Sequence, residues 1–220
     1  MMKNLLIIGA RGFGREVYNL ALDCIKAGEN IRIKGFLDDK SDALDAYPNY
    51  PPIISSVENY NIEKEDVFIC ALGDVKYKEK YVTIIQQKGG EFISLVHPAA
   101  MIGTNTIIGR GCIIRTLCSI SCDVAIGNFV TIMGFVNIGH DAQIADWCHI
   151  GAYSFLGGGT ALENSATLHP GCKILPHKKI GCCAIVGAGS VVLRNVKANT
   201  TVFGIPAKRI NISNDINTTN

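Results

Sequence analysis

The chain has 220 residues, of which 48% are hydrophobic, and its formal net charge is +2 at pH 7. This length allows one large domain or two small ones, with enough apolar residues for a core. A charge so close to neutral gives no electrostatic support for a nucleic-acid or membrane-surface partner. The apolar run at residues 5–8 is too short for a secretory signal, and no stretch reaches the roughly 20 apolar residues that span a bilayer. The sequence therefore predicts a cytoplasmic protein.

Residues 1–96 alternate between strand-like and helix-like patterns, which is typical of a small Rossmann-like α/β domain. Strands are predicted at Lys3–Gly9, Ile31–Leu37, Val67–Leu72 and Glu91–Val96, and helices at Phe13–Ala27 and Lys76–Lys88.

A glycine-rich turn, residues 9–14, joins the first strand to the first helix. Its pattern is G-x-x-G-x-G and not the G-x-G-x-x-G of dinucleotide-binding proteins, so a nicotinamide cofactor is not predicted. A glycine turn that opens a helix favours a phosphate, because free N–H groups and the helix dipole point at it, although a plain tight connection would look the same. Acidic residues follow the second and third strands, where open α/β sheets bind ligands. The predicted substrate-binding residues are Gly9, Arg11, Gly12, Phe13, Gly14, Asp38, Asp39, Gly73 and Asp74.

From residue 102 onward a large aliphatic residue recurs at every sixth position. The sixteen positions are Ile102, Ile108, Ile114, Ile120, Ile126, Ile132, Ile138, Ile144, Ile150, Leu156, Leu162, Leu168, Ile174, Ile180, Val186 and Val192. Four residues after each of them stands a small or β-branched residue, with the single departure of Lys178. A period of six fits neither a helix nor a long strand, and it predicts a solenoid with three hexads per coil. The aliphatic residues should stack inside it, and glycines should take the tight turns.

Nine cysteines are present, and four of them, Cys112, Cys118, Cys148 and Cys172, fall on the small-residue positions of the hexads. Cysteine acts there as a compact hydrophobe. The spacing of the others is not that of a zinc site. Buried free thiols are therefore predicted, with no disulfide and no metal.

This repeat resembles that of the hexapeptide-repeat acyltransferases, whose members are left-handed parallel β-helices. Both halves together resemble the sugar acetyltransferases of bacterial surface-glycan biosynthesis, which include sialic-acid O-acetyltransferases and N-acetyltransferases of nucleotide-linked 4-amino sugars. The matching residues are Gly9, Gly12, Gly14, Glu16, Phe36 to Asp39, Gly73, Asp74, His97, Pro98, Asn137 to Asp141, Gly204 and Pro206 to Lys208. One departure is Phe13, where the family commonly has a histidine.

The resemblance implies a homotrimer in which residues 1–96 bind the nucleotide-sugar and a β-helix at residues 97–210 binds acetyl-CoA. It also implies that His140 is the general base and that Asp141 orients it. Histidine is the natural base near neutral pH, and His140 occupies a polar, surface-facing place in its hexad. Adjacent strand residues point to opposite faces, so the pairing of His140 with Asp141 requires a corner. Residues 211–220 are polar and are predicted to form a disordered tail.

The predicted acetyl-CoA-binding residues are His149, Gly158, Gly187, Ala188, Lys208 and Arg209. His149 lies half a coil from His140, so both can line one site only between neighbouring prisms, which favours the trimer. Glycine runs let backbone approach a ligand, and the two basic residues suit CoA phosphates. The apolar residues Phe129, Phe135 and Phe155 are expected on the exposed sides.

The reaction predicted is N-acetylation of a nucleotide-linked 4-amino-4,6-dideoxy sugar by acetyl-CoA. Three alternatives remain open from the sequence. The acceptor could be a hydroxyl, on sialic acid or a small alcohol. The same prism could carry a trimeric metal enzyme of the carbonic-anhydrase type. It could also be a scaffold that binds sugar nucleotides without catalysis.

Overall fold

The computed structural model describes residues 2–210, and within them the chain forms two compact units. The α/β unit contains the residues up to Ala100 together with Gly109–Thr116, and the solenoid unit contains Met101–Ile108 and the chain from Leu117 onward. The tail predicted at 211–220 lies outside the described residues.

The α/β unit has a parallel five-stranded sheet of order β3-β2-β1-β4-β5 and two helices. Its elements are β1 (Lys3–Ile8), α1 (Gly12–Lys26), β2 (Ile31–Leu37), β3 (Ile53–Ser55), β4 (Asp66–Cys70), α2 (Val75–Gln87), β5 (Glu91–Phe92) and β6 (Leu95–Val96). Strand β2 has its predicted bounds, and the bounds of β1, β4 and both helices differ from the predictions by one or two residues. The single strand predicted at Glu91–Val96 is wrong, because it is two short strands. Strand β3 was not predicted.

Helix α1 packs one face on this sheet because its apolar residues recur at helical spacing. Val17, Leu20, Ala21 and Cys24 are all buried, as the i, i+3, i+4, i+7 pattern requires. They join a core that includes Leu5, Ile7, Phe36 and Ile69. Each fully buried aliphatic side chain of this kind contributes about 1.5–3 kcal/mol relative to exposure.

The solenoid consists of two-residue strands spaced six residues apart. They are β7 (Met101–Ile102), β8 (Ile107–Ile108), β9 (Ile113–Ile114), β10 (Ser119–Ile120), β11 (Ala125–Ile126), β12 (Thr131–Ile132), β13 (Asn137–Ile138), β14 (Gln143–Ile144), β15 (His149–Ile150), β16 (Phe155–Leu156), β17 (Ala161–Leu162), β18 (Thr167–Leu168), β19 (Lys173–Ile174), β20 (Lys179–Ile180), β21 (Ile185–Val186) and β22 (Val191–Val192), followed by β23 (Thr201–Phe203) and β24 (Lys208–Ile210). Strand β9 belongs to the α/β unit, where it pairs with β6.

The solenoid strands β7, β8 and β10 to β19 each pair in parallel with the strand eighteen residues further on, as Ile138 does with Leu156. At the end of the solenoid β21 pairs in parallel with β23, and β24 is antiparallel to β23. Three faces result, with the orders β7-β10-β13-β16-β19-β22, β8-β11-β14-β17-β20 and β12-β15-β18-β21-β23-β24. The coil of three hexads is therefore confirmed. The aliphatic column from Ile120 to Val192 is at most 3% exposed, whereas Ile102, on the end strand of its face, is 38% exposed.

The corners between strands place one residue in the left-handed region, three positions after each aliphatic residue from Ile102 to Val186. Asn105, Asp123 and Asp141 have φ of 60°, 59° and 58° there. The prediction that glycines take the tight turns is confirmed at Gly111, Gly159, Gly171 and Gly189, which occupy this position. It is wrong for the glycines that directly follow the aliphatic residues. Gly139 shows their actual role, since a Cβ on it would lie 2.5 Å from the backbone nitrogen of Gly158 in the next coil. Glycine is needed there because two coils approach closely.

Small polar residues are accommodated inside the solenoid by one repeated hydrogen bond. The side chains of Thr106, Cys118, Cys148, Ser154 and Cys172 each donate to the carbonyl oxygen fifteen residues further on. Buried donors are thus satisfied, which explains why these residue types replace valine and alanine in the column. Burial raises the pKa of the Cys148 thiol to about 12 and that of Cys172 to about 11.

The nine cysteines are free thiols, six of them buried. Cys183 is exposed and Cys122 and Cys182 are partly so, which corrects the expectation of burial for these three. Phe129 is a second correction. It is only 3% exposed, because its ring stacks on Trp147 at 4.4 Å, while Phe135 and Phe155 are 45% and 41% exposed as predicted.

Candidate functional site

In the α/β unit the glycine turn fixes the start of α1 against β1. Gly9 has φ of 95°, and its N–H donates to the carbonyl of Leu37 at 2.8 Å. A Cβ on Gly14 would overlap the carbonyl oxygen of Gly9, so any larger residue would push the helix away from the strand. In the described part of the chain no side chain caps the start of α1, and its first turn holds no acidic residue. This helix end therefore suits an anion.

The two acidic residues after β2 have different surroundings. Both carboxylate oxygens of Asp38 accept backbone hydrogen bonds, from Ala10 at 2.8 Å and from Lys40 at 2.9 Å, so Asp38 ties the glycine turn to β2. Asp39 accepts a hydrogen bond from the Tyr81 hydroxyl through one oxygen. Burial, and then the Asp39 carboxylate, raise the pKa of Tyr81 above its ordinary range.

A cavity of about 520 Å³ opens between these elements. Its walls include Gly9, Arg11, Phe13, Gly14, Asp38, Asp39, Gly73 and Asp74, and of the predicted substrate-binding residues only Gly12 is not among them. Their binding role stays a prediction. The carboxylate of Asp74 also caps α2, accepting from the N–H groups of Lys76 at 2.9 Å and Tyr77 at 3.1 Å.

Seven wall residues were not predicted from the sequence: Ile8, Leu37, Val57, Ala71, Leu72, Tyr77 and Tyr81. The tyrosines carried a signal, because they stand four residues apart at the start of a helix that follows a predicted ligand-binding turn, and such residues share one face. Val57 and Leu72 gave no signal, since nothing local marks an apolar residue as lining a cavity instead of a core.

The solenoid unit holds a histidine–carboxylate pair at the corner after β13. Nδ1 of His140 lies 2.6 Å from Oδ2 of Asp141, and the side chains are 62% and 67% exposed. The left-handed backbone of Asp141 turns its side chain beside the imidazole, so the predicted need for a corner is confirmed. A carboxylate on Nδ1 favours the tautomer with its proton there, which leaves the lone pair on Nε2.

Gly157, Gly158 and Gly159 form the corner one coil later, as predicted. The N–H of Gly159 donates to the carbonyl of His140 at 2.8 Å. A Cβ on Gly158 would lie 2.6 Å from Nε2 of His140. The imidazole therefore leans over a stretch of backbone without side chains, and the atom that carries the lone pair points into that space.

The other predicted acetyl-CoA-binding residues lie on other coils and faces. His149 is partly buried on β15, one face away from the strands that flank His140. Gly187 and Ala188 lie at the corner after β21, and a Cβ on Gly187 would meet the ring of Phe203. Lys208 and Arg209 are exposed on β24, four strands from β15, or about 19 Å at the usual strand spacing. The structure thus spreads these residues along the prism.

Within residues 2–210 no group of three or more His, Cys, Asp or Glu side chains is arranged to hold a metal ion. None of the helices described is long and apolar enough to cross a bilayer.

An α/β unit followed by a hexad solenoid with a corner His–Asp pair defines a class, the hexapeptide-repeat acyltransferases. Residues 4–85 match the PglD N-terminal domain, and residues 91–185 match the GMPPB C-terminal domain. The chain is 31% identical over 152 residues to GDP-perosamine N-acetyltransferase of Escherichia coli O157:H7, covering 65% of this chain and 67% of that protein. It is 29% identical over 117 residues to UDP-N-acetylbacillosamine N-acetyltransferase of Bacillus subtilis (strain 168), about half (51%) of each chain.

Among solved structures, a variant of perosamine N-acetyltransferase from Caulobacter crescentus in complex with CoA and GDP-perosamine superposes with a TM-score of 0.85. The match covers 96% of this chain and 99% of that one at 24% identity, and it confirms the left-handed β-helix fold. The chain belongs to the hexapeptide-repeat nucleotide-amino-sugar N-acetyltransferase family.

Proposed function

We propose that this protein transfers the acetyl group of acetyl-CoA to the amino group of a nucleotide-linked amino sugar, with His140 as general base. The observation that carries the proposal is the His140–Asp141 pair, whose Nε2 faces the glycine corner at Gly158. The relatives named above, N-acetyltransferases of UDP- and GDP-linked amino sugars, support the amine over the hydroxyl acceptor.

The chemistry follows from these atoms. Nε2 of His140 takes a proton from the acceptor nitrogen while that nitrogen attacks the thioester carbonyl carbon. The C–N bond forms, negative charge develops on the carbonyl oxygen, and the C–S bond then breaks with its electron pair leaving on sulfur. The N–H of Gly158 is the donor that would stabilise the oxyanion, because the N–H groups of Gly157 and Gly159 already donate to the carbonyls of Ile174 and His140. Asp141 stabilises the imidazolium that His140 becomes.

The acceptor's nucleotide is assigned to the α/β cavity. The cavity has a volume of about 520 Å³, and the uncapped start of α1 and the side chain of Arg11 are suited to binding a diphosphate. Asp39 uses one carboxylate oxygen for its hydrogen bond with Tyr81, and its other oxygen is available to the ligand. Asp38 is committed to the backbone and would act on the ligand only by shaping the turn. The sugar proposed is a 4-amino-4,6-dideoxy sugar used in bacterial surface-glycan biosynthesis.

A homotrimer is part of the proposal. His149 lies on a different face from His140, so both can serve one site only across two prisms. Phe135 and Phe155 are large exposed apolar residues that an interface would cover. Sedimentation equilibrium should give three times the chain mass of 23.7 kDa, and a fully active monomer would contradict this part.

The test is a thiol-release assay with acetyl-CoA and a panel of UDP-, GDP- and dTDP-linked 4-amino sugars, each paired with its 4-hydroxyl counterpart. Thiol release with one amino sugar, and a product heavier by one acetyl group in mass spectrometry, is expected. Turnover of the hydroxyl compounds alone would overturn N-acetylation, and no thiol release with any acceptor would overturn the activity.

A further inference from the structure

The corner Gly157–Gly159, called here the glycine notch, has a histidine on each side. His140 approaches from the coil before, with Nε2 2.6 Å from the place of a Cβ on Gly158. His177 approaches from the coil after, and its ring would overlap a Cβ on Gly159. Two adjacent glycines are therefore kept free of side chains, and each makes room for one imidazole.

The backbone holds His177 in register with this notch. Its N–H donates to the carbonyl of Gly158 at 2.9 Å, and its φ of 59° places it at the same left-handed corner position as Gly159 and Asp141. The side chain is exposed. His140 has a carboxylate neighbour on Nδ1, whereas the carboxylates of the described residues form no ion pair with His177. The two histidines thus share the notch in different electrostatic settings.

We propose that His177 contacts the pantetheine arm of the acyl donor, through a hydrogen bond between its imidazole and an amide of the arm. The inference rests on the proposed function. In the tetrahedral intermediate the acceptor nitrogen and the thioester sulfur are separate substituents of the same carbon. With the nitrogen beside His140, the sulfur and the arm are placed toward the other wall of the notch, where His177 stands. The phosphate-binding candidates Lys208 and Arg209 lie further along the prism axis in the same direction, on β24 of a different face.

The chemistry of the two partners fits. A neutral imidazole has one N–H donor and one acceptor nitrogen, and a secondary amide offers one of each. A coil advances by about 4.8 Å, so His177 stands roughly 10 Å from the level of His140 along the prism. At that distance from His140, His177 can contact the pantetheine arm but not the reacting carbonyl group. Its role therefore differs from that of the general base.

The test uses the full-length protein and CoA alone. Ring resonances of the histidines are followed by two-dimensional ¹H–¹⁵N NMR as CoA is added, with His177→Ala used for assignment. The resonances of His177 should shift on binding, and those of His169, an exposed histidine of the same solenoid, should not. Calorimetry should give a Kd for CoA about 3- to 10-fold weaker in His177→Ala and close to normal in His169→Ala and in the conservative His177→Gln.

Kinetics supply the second readout. His177→Ala should raise KM for acetyl-CoA with little change in kcat or in KM for the acceptor, because a binding contact and not a proton transfer is lost. If CoA binds the wild-type protein without moving the His177 resonances, and His177→Ala binds it equally well, the inference is overturned while the proposed function stands. If the wild-type protein does not bind CoA, both fall.

Discussion

Nδ1 of His140 lies 2.6 Å from a carboxylate oxygen of Asp141, its immediate neighbour in the chain. Two consecutive residues of a strand could not meet in this way, and they meet here because Asp141 has a left-handed backbone with φ of 58°. The repeat places such a residue three positions after each aliphatic residue from Ile102 to Val186, so the fold supplies the geometry of the pair. What is particular to this corner is the choice of side chains.

Asp141→Asn should lower kcat by about 10- to 100-fold and leave both KM values nearly unchanged. The amide keeps the shape but removes the charge that stabilises the imidazolium, an interaction made chiefly in the transition state. Steady-state kinetics measure the change. Asp123→Asn is the matched control, because Asp123 occupies the same corner position one coil earlier and its carboxylate accepts from Asn105 at 3.0 Å. Equal losses in both variants would argue against a special role for Asp141.

Gly158→Ala should reduce kcat strongly while the protein stays folded. The new methyl group would lie 2.6 Å from Nε2 of His140 and would displace the flexible imidazole, whereas Gly158 has no left-handed φ that alanine would strain. Thermal melting with circular dichroism should show little change in Tm, and the thiol-release assay should show the loss. A normal rate would mean that Nε2 of His140 does not remove the acceptor's proton in the space beside Gly158.

Gly14→Ala should destabilise the α/β unit by about 1–3 kcal/mol, the usual cost of overpacking, because its methyl group would overlap the carbonyl oxygen of Gly9. Gly12→Ala is the matched control two residues earlier in α1, where a methyl group meets nothing within 4 Å. Alanine should there be neutral or stabilising by up to about 1 kcal/mol. Urea unfolding of both variants measures the difference, and similar stabilities would contradict the packing account.

The free energy of unfolding should depend on pH through the carboxyl group of Asp66. Burial alone would raise the pKa of its carboxyl, but hydrogen bonds from Tyr60 at 2.6 Å, the Glu63 N–H at 2.8 Å and Lys34 at 3.0 Å outweigh burial and lower it. A lowered pKa in the folded state adds stability above the unfolded value of about 3.9, and this is lost as the pH falls through the folded value.

Asp66→Asn should therefore cost about 3 kcal/mol near pH 7, as expected when a buried ion pair loses one partner. The difference from wild type should shrink below about pH 4. Glu63→Gln is the control, because this carboxylate binds the same Lys34 at 2.8 Å but is 69% exposed, so it should cost less than about 1 kcal/mol. A constant difference across the pH range in urea titrations would contradict the assignment.

The hexads predicted the solenoid closely, because a period of six that repeats sixteen times leaves little freedom to the backbone. The same periodicity did not show that Phe129 is buried. That depends on Trp147, eighteen residues away, which stacks on it from the next coil. Glycines were predicted to take the tight turns, and those that directly follow the aliphatic residues do not. A sequence shows that a Cβ is absent, but whether φ or a neighbouring coil requires its absence is a property of the packing.

In the α/β unit the strong periodic elements were predictable and the short edge strand β3 was not, since three residues after two prolines carry almost no pattern. The pair Asp38-Asp39 illustrates the limit for the site. The sequence placed both at the end of β2, and only the structure shows that Asp38 is bound to the backbone by both oxygens while Asp39 faces Tyr81. Which of two adjacent carboxylates meets a ligand is decided by hydrogen bonds from distant parts of the chain.

His140 is proposed to remove the acceptor's proton during acetyl transfer. The most direct measurement is kcat of His140→Ala against wild type, with acetyl-CoA and the amino sugar that the panel identifies. We expect kcat to fall roughly 10²–10⁴-fold, with little change in KM for either substrate and with circular dichroism unchanged. A His140→Ala protein that retains a near-normal kcat would contradict it, because the acceptor's proton would then be removed by another group.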